Sequence, residues 1–500
     1  MAARHGGADT GLRRCAAHSA AVHWLAGIAC GSSMAPHTKT LAAGDLPLAG
    51  RDIALNPGVK AGDYAAALLR SLGADTPAPS PLGALEIAGD WAASGLIPLT
   101  GSPDAPMQGP AAIPSAAHGA LAALKLLAGG NDLQGLDGAS LLSERAAFPG
   151  LSRQGRVSAN GSCHLLRARD GWLALNLARD DDWALLPAWL EAALDLPCWQ
   201  QLAERVAQRD ISRLLERGRT LGLPVACARP ENRRADSWFS LASRGPGGAG
   251  GRSGPLVVDL SSLWAGPLCT HLLGLAGARV IKVESAGRLD GARGGDTDFY
   301  NLLNANKESV VLDLASTQGR QQLACLLARA DIVVEGSRPR ALRQLGIEAE
   351  QLVRSVPGLT WISITGYGRG EPEANWVAFG DDAAVAAGVA IATADPPVFC
   401  GDALADPLTG IHAAVAAQAF WQSGAGGLLD LSLRGVTAYS LNYHPGVPRG
   451  KVLASSGGWR LLLQGESFPL IPPQRRRPAS SAAPPGSDTQ RVLTEFAIPC

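Results

Sequence analysis

The sequence has no excess of charge of either sign, because 44 Lys and Arg residues balance 44 Asp and Glu residues. A chain without net charge has no global field to attract nucleic acid or an anionic membrane surface, so neither is expected as a partner. An anionic ligand would have to be held by a local cluster of cations. Long apolar runs are also missing, and none approaches the ~20 residues that a membrane-spanning helix needs.

Paired cysteines are missing as well. The nine cysteines are scattered, odd in number and without a CxxC pair, which argues against a metal site or a disulfide framework and favours a reducing cytoplasm. The N-terminal run "CAAHSAAVHWLAGIAC" is faintly similar to a signal peptide, but its two histidines and its alanine content argue against export. No GxGxxG motif follows a predicted strand, which disfavours a nicotinamide-dependent dehydrogenase.

The 500 residues, 46% of them hydrophobic, are enough for several globular units. We predict a poorly ordered segment over 1–44 and a first half over 45–235, with a small tryptophan-containing subdomain at about 155–230. A glycine-rich, flexible linker is predicted over 236–255, and a second half over 256–500.

Strand and helix patterns alternate in the second half. Short apolar runs such as "LVVDL", "RVIKVE", "DIVVE" and "LTWISIT" read as buried strands, and the segments between them have helical spacing. Repeated βα units of this kind predict an α/β fold: a Rossmann-like parallel sheet with helices on both faces, accompanied by a small α+β subdomain.

The second half also contains patterns that resemble segments of the first half. "LADPLTGIHAAVAAQAFW" (404–421) can be laid over "AIPSAAHGALAALKLL" (112–127), which places His412 on His118 and Asp406 on Ala112. Two further blocks recur in the same order, 61–75 with 265–279 and 91–101 with 384–394. We interpret this as an internal duplication with a shortened first copy that lacks the carboxylate.

A family resemblance appears in "DLSSLWAGPLCTHLLGLAGARVIKVE" (259–284) and continues through "NLLNANKESVVLDLAS", "ARADIVVEGSRPRALRQLGI" and "TWISITGYGRGEP" to "ADPLTGIH". These motifs resemble family III CoA-transferases, the group that includes formyl-CoA transferase, carnitine CoA-transferase and the α-methylacyl-CoA racemases. Members of that family are interlaced dimers. The resemblance therefore implies two fused halves packed as an intrachain pseudo-dimer, which could assemble further into a homo-oligomer.

The resemblance implies that Asp406 is the nucleophile that attacks an acyl-CoA thioester. A carboxylate is ionised near neutral pH without a base, and its nucleophilicity increases when it is desolvated. The structural alternative is an N-cap, since Asp-Pro before a helix is a common start. The oxyanion of the tetrahedral intermediate needs N–H donors, and "SSGGWR" (455–460) is the late glycine-containing segment that could supply them.

Coenzyme A, the expected co-substrate, carries a 3′-phosphate and a pyrophosphate and so requires local positive charge. The candidate binding residues lie within the matching motifs: Ala265, Lys282, Lys307, Leu312, Arg338, Arg340 and Arg343. No metal is expected. Two departures from the family pattern put CoA affinity in question: Ser285 stands where members often have arginine, and Gly336-Ser337 replaces an Asn-aromatic pair.

The sequence thus favours CoA transfer from an acyl-CoA to a carboxylic acid through Asp406. Two alternatives stay open. The altered binding positions suit a non-catalytic CoA-binding pseudoenzyme. An acyl-CoA racemase or epimerase would need a histidine where this chain has "AFGDDAAV", with Asp381 and Asp382 instead.

Overall fold

The computed structural model describes residues 46–56, 58–77, 79–129, 132–195, 197–229, 235–250 and 254–499. The segment predicted to be poorly ordered, 1–44, lies outside these residues. Within the described ranges, no helix combines the length and the apolar character that crossing a membrane requires.

A seven-stranded sheet forms the centre of the second half. Its strands are β6 (Ser240–Arg244), β7 (Leu256–Asp259), β8 (Arg279–Ser285), β9 (Glu308–Leu312), β10 (Ile332–Glu335), β11 (Thr360–Thr365) and β12 (Gly427–Ser432). Their order in the sheet is β6-β12-β11-β10-β7-β8-β9. All neighbours are parallel except β6, which pairs antiparallel with β12.

Strands β7 to β12 therefore follow the doubly wound order 3-2-1-4-5-6, and the predicted Rossmann-like sheet is confirmed. The strand order reverses between β7 and β10, where a crevice opens at the carboxyl edge of such sheets. The helices of this half are α7 (Ala265–Leu275), α8 (Thr297–Asn304), α9 (Thr317–Leu327), α10 (Pro339–Gln344), α11 (Ala349–Ser355), α12 (Gly380–Ala386), α13 (Val389–Thr393), α14 (Ala405–Ser423), α15 (Leu433–Leu441) and α16 (Thr489–Glu495).

The first half is mainly helical and carries two small sheets, β1-β2 and β3-β4-β5. Its helices are α1 (Gly62–Ser71), α2 (Ala84–Ala93), α3 (Ile113–Ala128), α4 (Asp180–Leu190), α5 (Trp199–Val206) and α6 (Ile211–Leu221). Its strands are β1 (Gly101–Ser102), β2 (Ala105–Pro106), β3 (Cys163–Ala168), β4 (Gly171–Asn176) and β5 (Val225–Cys227). A late antiparallel sheet comprises β13 (Lys451–Ser455), β14 (Gly458–Leu463) and β15 (Glu466–Pro469).

Alternate side chains of the large sheet enter two cores. On one face, residues such as Val258 and Ile281 pack with α9 and the C-terminal α16. On the other face, Val257 and Val280 join a core that also holds Trp91 and many residues of α1, α3, α7 and α14. The two halves of the chain therefore share one hydrophobic core. The subdomain predicted at about 155–230 has a separate core around β3–β5 and α4–α6.

The described part of the glycine-rich stretch that was predicted as a flexible linker is hydrogen-bonded to the large sheet. It begins with β6, and the amides of Gly245 and Gly248 donate to the carbonyls of Gly426 and Gly424 at 3.0 and 2.8 Å. A Cβ on Gly248 would lie 2.8 Å from Cα of Gly358. The glycines here permit close approach of backbones, a role that composition alone does not distinguish from flexibility.

Two helix pairs pack through matching glycines. Gly119 of α3 faces Ala61 and Tyr64, with 2.7 Å between its ideal Cβ and the Ala61 carbonyl oxygen. Gly410 of α14 faces Ala265 and Leu268 in the same way, also at 2.7 Å. The predicted repeat pairs Ala61 with Ala265.

If the two helix pairs are aligned by matching Gly119 with Gly410, the residue equivalent to Asp406 is Ser115. Ser115 lies three residues beyond Ala112, the residue that the sequence alignment matches with Asp406. The hydroxyl of Ser115 donates to Asp90 at 2.6 Å, and Nε2 of His118 lies 3.4 Å from the other oxygen of that carboxylate. The alignment by sequence and the alignment by packing therefore differ in register, and the duplication itself stays a prediction.

Candidate functional site

Asp406 lies in the first turn of α14, a helix that is buried along nearly its whole length. The N-cap of this helix is Leu404, and Asp406 is the second helical residue, so the N-cap alternative for this side chain is wrong. Asp406 is partly exposed, whereas the residues on either side of it are buried. A helix N-terminus stabilises a carboxylate through the aligned backbone dipoles.

The ionisation of Asp406 is finely balanced. Burial raises the pKa of its carboxyl to about 7; Arg145 lowers it, and Asp381 and Asp402 raise it further. Near neutral pH this carboxyl group is therefore poorly solvated, and its protonated and ionised forms are both populated. Both properties suit a nucleophile that must lose its water before it attacks.

Asp402 and Asp381 form a buried network with two residues of the first half. Arg145 donates to both oxygens of Asp402, from Nε at 2.8 Å and from Nη2 at 2.6 Å. The amide of Asn160 donates to Asp381 at 2.8 Å and to Asp402 at 3.1 Å. Burial and the neighbouring Asp402 raise the pKa of Asp381. The site around Asp406 is thus assembled from both halves of the chain.

The turn that leads into α14 is held by this network. Ala403 has a φ of 43°, a left-handed conformation that is costly for a residue with a Cβ. Its amide donates to Asp381 at 2.8 Å, and its carbonyl accepts from the amide of Asp406 at 2.9 Å. The Asp381 carboxylate therefore holds the strained turn that sets the position of Asp406.

Gly380, the first residue of α12, leaves the space that Asp406 occupies. A Cβ built on Gly380 would overlap Oδ2 of Asp406 and the carbonyl oxygen of Ala403. We therefore expect Gly380→Ala to displace the carboxylate and to reduce turnover by about a hundredfold, the effect of a 1 Å misplacement.

Gly370→Ala is the matched control, since a Cβ there would meet nothing within 4 Å. Steady-state rates and melting curves of both variants would check this expectation. Equal turnover in Gly380→Ala and Gly370→Ala would mean that close packing against Gly380 does not determine the position of the Asp406 carboxylate.

Asp382 extends the polar region toward the small subdomain. Asn176 of β4 donates to Oδ1 of Asp382 at 3.1 Å, and burial raises the pKa of Asp382 to about 8. Oδ2 of Asp382 and Oδ1 of Asn176 are buried without a hydrogen-bond partner among the described residues. Tyr367 lies close enough for Asp382 to raise the pKa of its hydroxyl, after the larger effect of burial, and its ring contacts Trp376 edge-on at 5.3 Å.

Trp376 lines a cavity of about 1190 Å³ between the small subdomain and the carboxyl edge of the parallel sheet. Five arginines line it: Arg179, Arg219, Arg288, Arg338 and Arg340. Burial and then the charges of Arg340, Arg179 and Arg288 lower the pKa of Arg338. The positive charge at this edge is therefore concentrated, although Asp181, Asp182 and Glu216 also line the cavity. Arg219 stacks on Trp376 with 3.6 Å between Cζ and the ring centre.

The structure brings Arg338 and Arg340 together at this cavity but separates the other predicted CoA ligands from it. Arg343 pairs with Glu350 at 3.0 Å. Ala265, in the first turn of α7, and Leu312, at the end of β9, are buried core residues.

The two predicted lysine ligands are buried in ion pairs. Nζ of Lys282 lies 2.9 Å from Asp290 and donates to the carbonyl of Ser261 at 2.9 Å. Lys307 donates to Asp259 at 3.0 Å and to Thr270 at 2.7 Å. Burial lowers the pKa of Lys307 to about 8, with Asp259 opposing that change. Both cations are engaged inside the protein in the structure described.

The predicted oxyanion segment forms the exposed turn of the β13–β14 hairpin, where Ser455 donates to the carbonyl of Gly458 at 2.7 Å. His412 is buried in α14; its Nδ1 lies 2.7 Å from the carbonyl of Leu408, and its Nε2 lies 3.0 Å from the Tyr64 hydroxyl. Burial lowers the pKa of His412 to about 4. It is therefore a neutral core residue.

Sequence reasoning missed Arg145, Asn160 and Asp402. Arg145 lies in "DGASLLSERAAF", a segment without a chemical signature of its own. Asp402 lies four residues before Asp406, and this spacing was the one feature of the sequence that could have indicated Asp402 as a neighbour of Asp406 in the site.

The sequence profile of CoA-transferase family III matches residues 253–451. This part of the chain is similar to that family. The matched region includes the sheet from β7 to β12, α12, Asp402 and Asp406, whereas Arg145 and Asn160 lie before it.

The relatives that this chain resembles in sequence include two CoA-transferases. Formyl-CoA:oxalate CoA-transferase of Escherichia coli is 33% identical over 166 residues, which cover 31% of this chain and 40% of that protein. Succinyl-CoA–D-citramalate CoA-transferase of Chloroflexus aurantiacus is 32% identical over 191 residues, or 35% and 48% of the two chains. The match spans about half or less of the length of these relatives.

Among solved structures, a CaiB/BaiF family protein from Brucella suis is 25% identical, with a TM-score of 0.38, over 43% of this chain and 66% of that one.

Proposed function

We propose that this protein transfers coenzyme A from an acyl-CoA thioester to a carboxylic acid, with Asp406 as the covalent nucleophile. The observation that carries the proposal is the setting of Asp406. It is a partly exposed residue in the first turn of α14 whose carboxyl group is desolvated, within the region that matches family III.

The reaction follows from the chemistry of a carboxylate. An oxygen of Asp406 attacks the thioester carbonyl, the C–S bond breaks, and CoA leaves as a thiolate, giving a mixed anhydride. The thiolate attacks the aspartyl carbonyl and releases the first acid, so that CoA is now bound to Asp406 as a thioester. The acceptor carboxylate attacks that thioester and forms a second anhydride. The returning thiolate attacks the acceptor's carbonyl, which yields the new acyl-CoA and restores Asp406.

The intrachain pseudo-dimer is part of this proposal. Arg145 and Asn160 come from the first half and contact carboxylates beside Asp406. The two halves also share a hydrophobic core. The first half would then complete the site although it lacks an equivalent nucleophile.

The arginine-lined cavity supports binding of the CoA phosphates. It lies at the carboxyl edge of the sheet, where α/β folds bind ligands. Arg338, the N-cap of α10, and Arg340, in the first turn of α10, line it, and Arg288 lines it from the loop after β8. Guanidinium groups suit phosphate because they are planar and permanently charged.

We expect Arg338→Gln to weaken CoA binding by about tenfold or more, the loss of one charge-assisted hydrogen bond. The loss should be smaller for 3′-dephospho-CoA if Arg338 contacts the 3′-phosphate. The measurement is an equilibrium titration of both ligands by calorimetry.

Arg343→Gln is the control, because Arg343 lies on α10, the helix that Arg338 caps, but pairs with Glu350. If Arg343→Gln weakened binding more than Arg338→Gln, the CoA phosphates would lie elsewhere.

A screen of acyl-CoA thioesters against carboxylic acids, including oxalate and citramalate, tests the overall function by mass spectrometry of the CoA products. CoA binding without transfer to any acid would favour the pseudoenzyme alternative. Exchange of an α-proton without CoA transfer would favour a racemase.

A further inference from the structure

The guanidinium of Arg145 uses only part of its donor capacity. Nε and Nη2 are taken by the two oxygens of Asp402, which fixes the plane of the group. Among the described residues none accepts a hydrogen bond from Nη1, and that atom is not among the buried, unsatisfied ones. The Arg145 side chain is 29% exposed, whereas Asp402 is fully buried. Nη1 is therefore accessible on a rigidly held cation.

Arg145 also lies against an aromatic wall. Its Cζ is 5.0 Å from the centre of the Trp264 ring, and Trp264 contacts Phe299 edge-on at 5.5 Å. Trp264 directly precedes α7 in the family III domain. Stacking on Trp264 and the fork with Asp402 restrict the guanidinium from two directions.

The charge around Asp406 makes this cation necessary. Burial raises the pKa of Asp406 most; among its charged neighbours, Arg145 lowers that pKa and the carboxylates of Asp381 and Asp402 raise it. An acceptor acid arrives as an anion and would be repelled by these carboxylates. Arg145 is the cation that offsets this repulsion, and its Nη1 hydrogens are available to a carboxylate oxygen.

We propose that Arg145 binds the carboxylate of the acceptor acid through Nη1, so that the first half of the chain supplies the group that recognises the acid. Asp402 acts as a positioning residue, because it holds the guanidinium and does not contact the acid itself. This inference rests on the proposed function, since it assigns a role within the second half of that reaction.

The first test is direct binding to the full-length protein, with oxalate and succinate as probes in calorimetric titrations. Arg145→Lys keeps the positive charge but loses the planar fork, and we expect it to raise the Kd of the acid about 10- to 100-fold. Arg167→Lys is the matched control, because Arg167 also stacks on a tryptophan, Trp172, but is exposed on β3. Equal Kd values for wild type and Arg145→Lys, or no binding of either acid to wild type, would overturn the proposal.

The second test separates the two halves of the reaction. With acyl-CoA and hydroxylamine but no acid, the CoA release that exceeds the rate measured without protein reports attack by Asp406, because hydroxylamine also cleaves the thioester directly. Arg145→Lys should raise the KM for the acid about 10- to 100-fold, a larger factor than any fall in its rate of CoA release. A large fall in CoA release with an unchanged KM for the acid would place Arg145 at the thioester oxyanion and overturn the proposal.

A double variant guards against misfolding. Arg145→Gln with Asp402→Asn replaces the ion pair by two neutral amides, so that residue 402 is not left as a buried carboxylate without its ion-pair partner. It should melt cooperatively and show the same rise in the Kd of the acid; a wild-type Kd in this folded variant would refute the role of Arg145. Wild type that binds the acids through Arg145 but releases no CoA would instead count against the proposed function alone.

Discussion

Asp406→Asn is expected to reduce CoA transfer by about a thousandfold or more, as removal of a covalent nucleophile does in other enzymes. Asparagine has nearly the same volume, so the fold of α14 should persist. The variant should also be more stable above neutral pH. The pKa of Asp406 is raised by burial from 3.8 to about 7, so the folded protein holds this proton more tightly than the unfolded chain does. Stability is therefore lost as pH rises from about 4 to 7, and the asparagine avoids that loss.

The measurements are turnover, melting temperature at pH 5 and pH 8, and mass spectrometry. Hydroxylamine added during turnover should convert Asp406 of the wild type to a hydroxamate, and activity should rise as pH passes about 7. Asp298→Asn is a matched control, because Asp298 is the exposed second residue of α8. If Asp406→Asn kept most of an active wild type's turnover, the covalent mechanism would be wrong.

Residues 253–500 expressed alone are expected to be insoluble or to melt without cooperativity, and to lack transfer activity. This fragment loses β6 from the edge of the sheet and uncovers the part of α14 that packs against the first half. It also loses Arg145, which leaves Asp402 as a buried carboxylate without its ion-pair partner. The loss of a buried partner charge costs about 3–5 kcal/mol, a large fraction of a domain's stability.

Co-expression of residues 1–252 is the control and should restore solubility and activity if the halves recognise each other. Solubility, melting behaviour and CoA transfer are the readouts. A soluble 253–500 fragment with cooperative melting and full activity would contradict the proposed pseudo-dimer.

The large sheet could be predicted because its parallel strands are buried on both faces and read as continuous apolar runs, such as "DIVVE" for Ile332–Glu335. The family motif predicted Asp406 as the candidate nucleophile, but the environment of that side chain could not be predicted. Its neighbours Arg145 and Asp402 are 257 positions apart, and no local pattern reports a contact formed by the packing of two halves.

The presence of a positive charge in the sequence predicted candidate ligand-binding residues less well than the position of the residue on the sheet does. Lys282 and Lys307 are in family-like motifs, yet both point into the protein and neutralise aspartates. Arg338 and Arg340 were grouped with them and do line a cavity. The two lysines are buried and the two arginines line the cavity. Which side chains become buried depends on the order of the strands in the sheet, which cannot be read from the sequence.

The hydrogen bonds of Tyr64 have a consequence for how the protein is made. Its hydroxyl contacts His412 and Ser440, which are 348 and 376 positions away. During synthesis the first half leaves the ribosome well before α14 exists, with the apolar surface of α1 and α3 uncovered. Contacts so distant in sequence slow folding and expose nascent chains to aggregation. Helix α14 closes the shared core late, so the chain should depend on chaperones that hold its N-terminal half until translation is nearly complete.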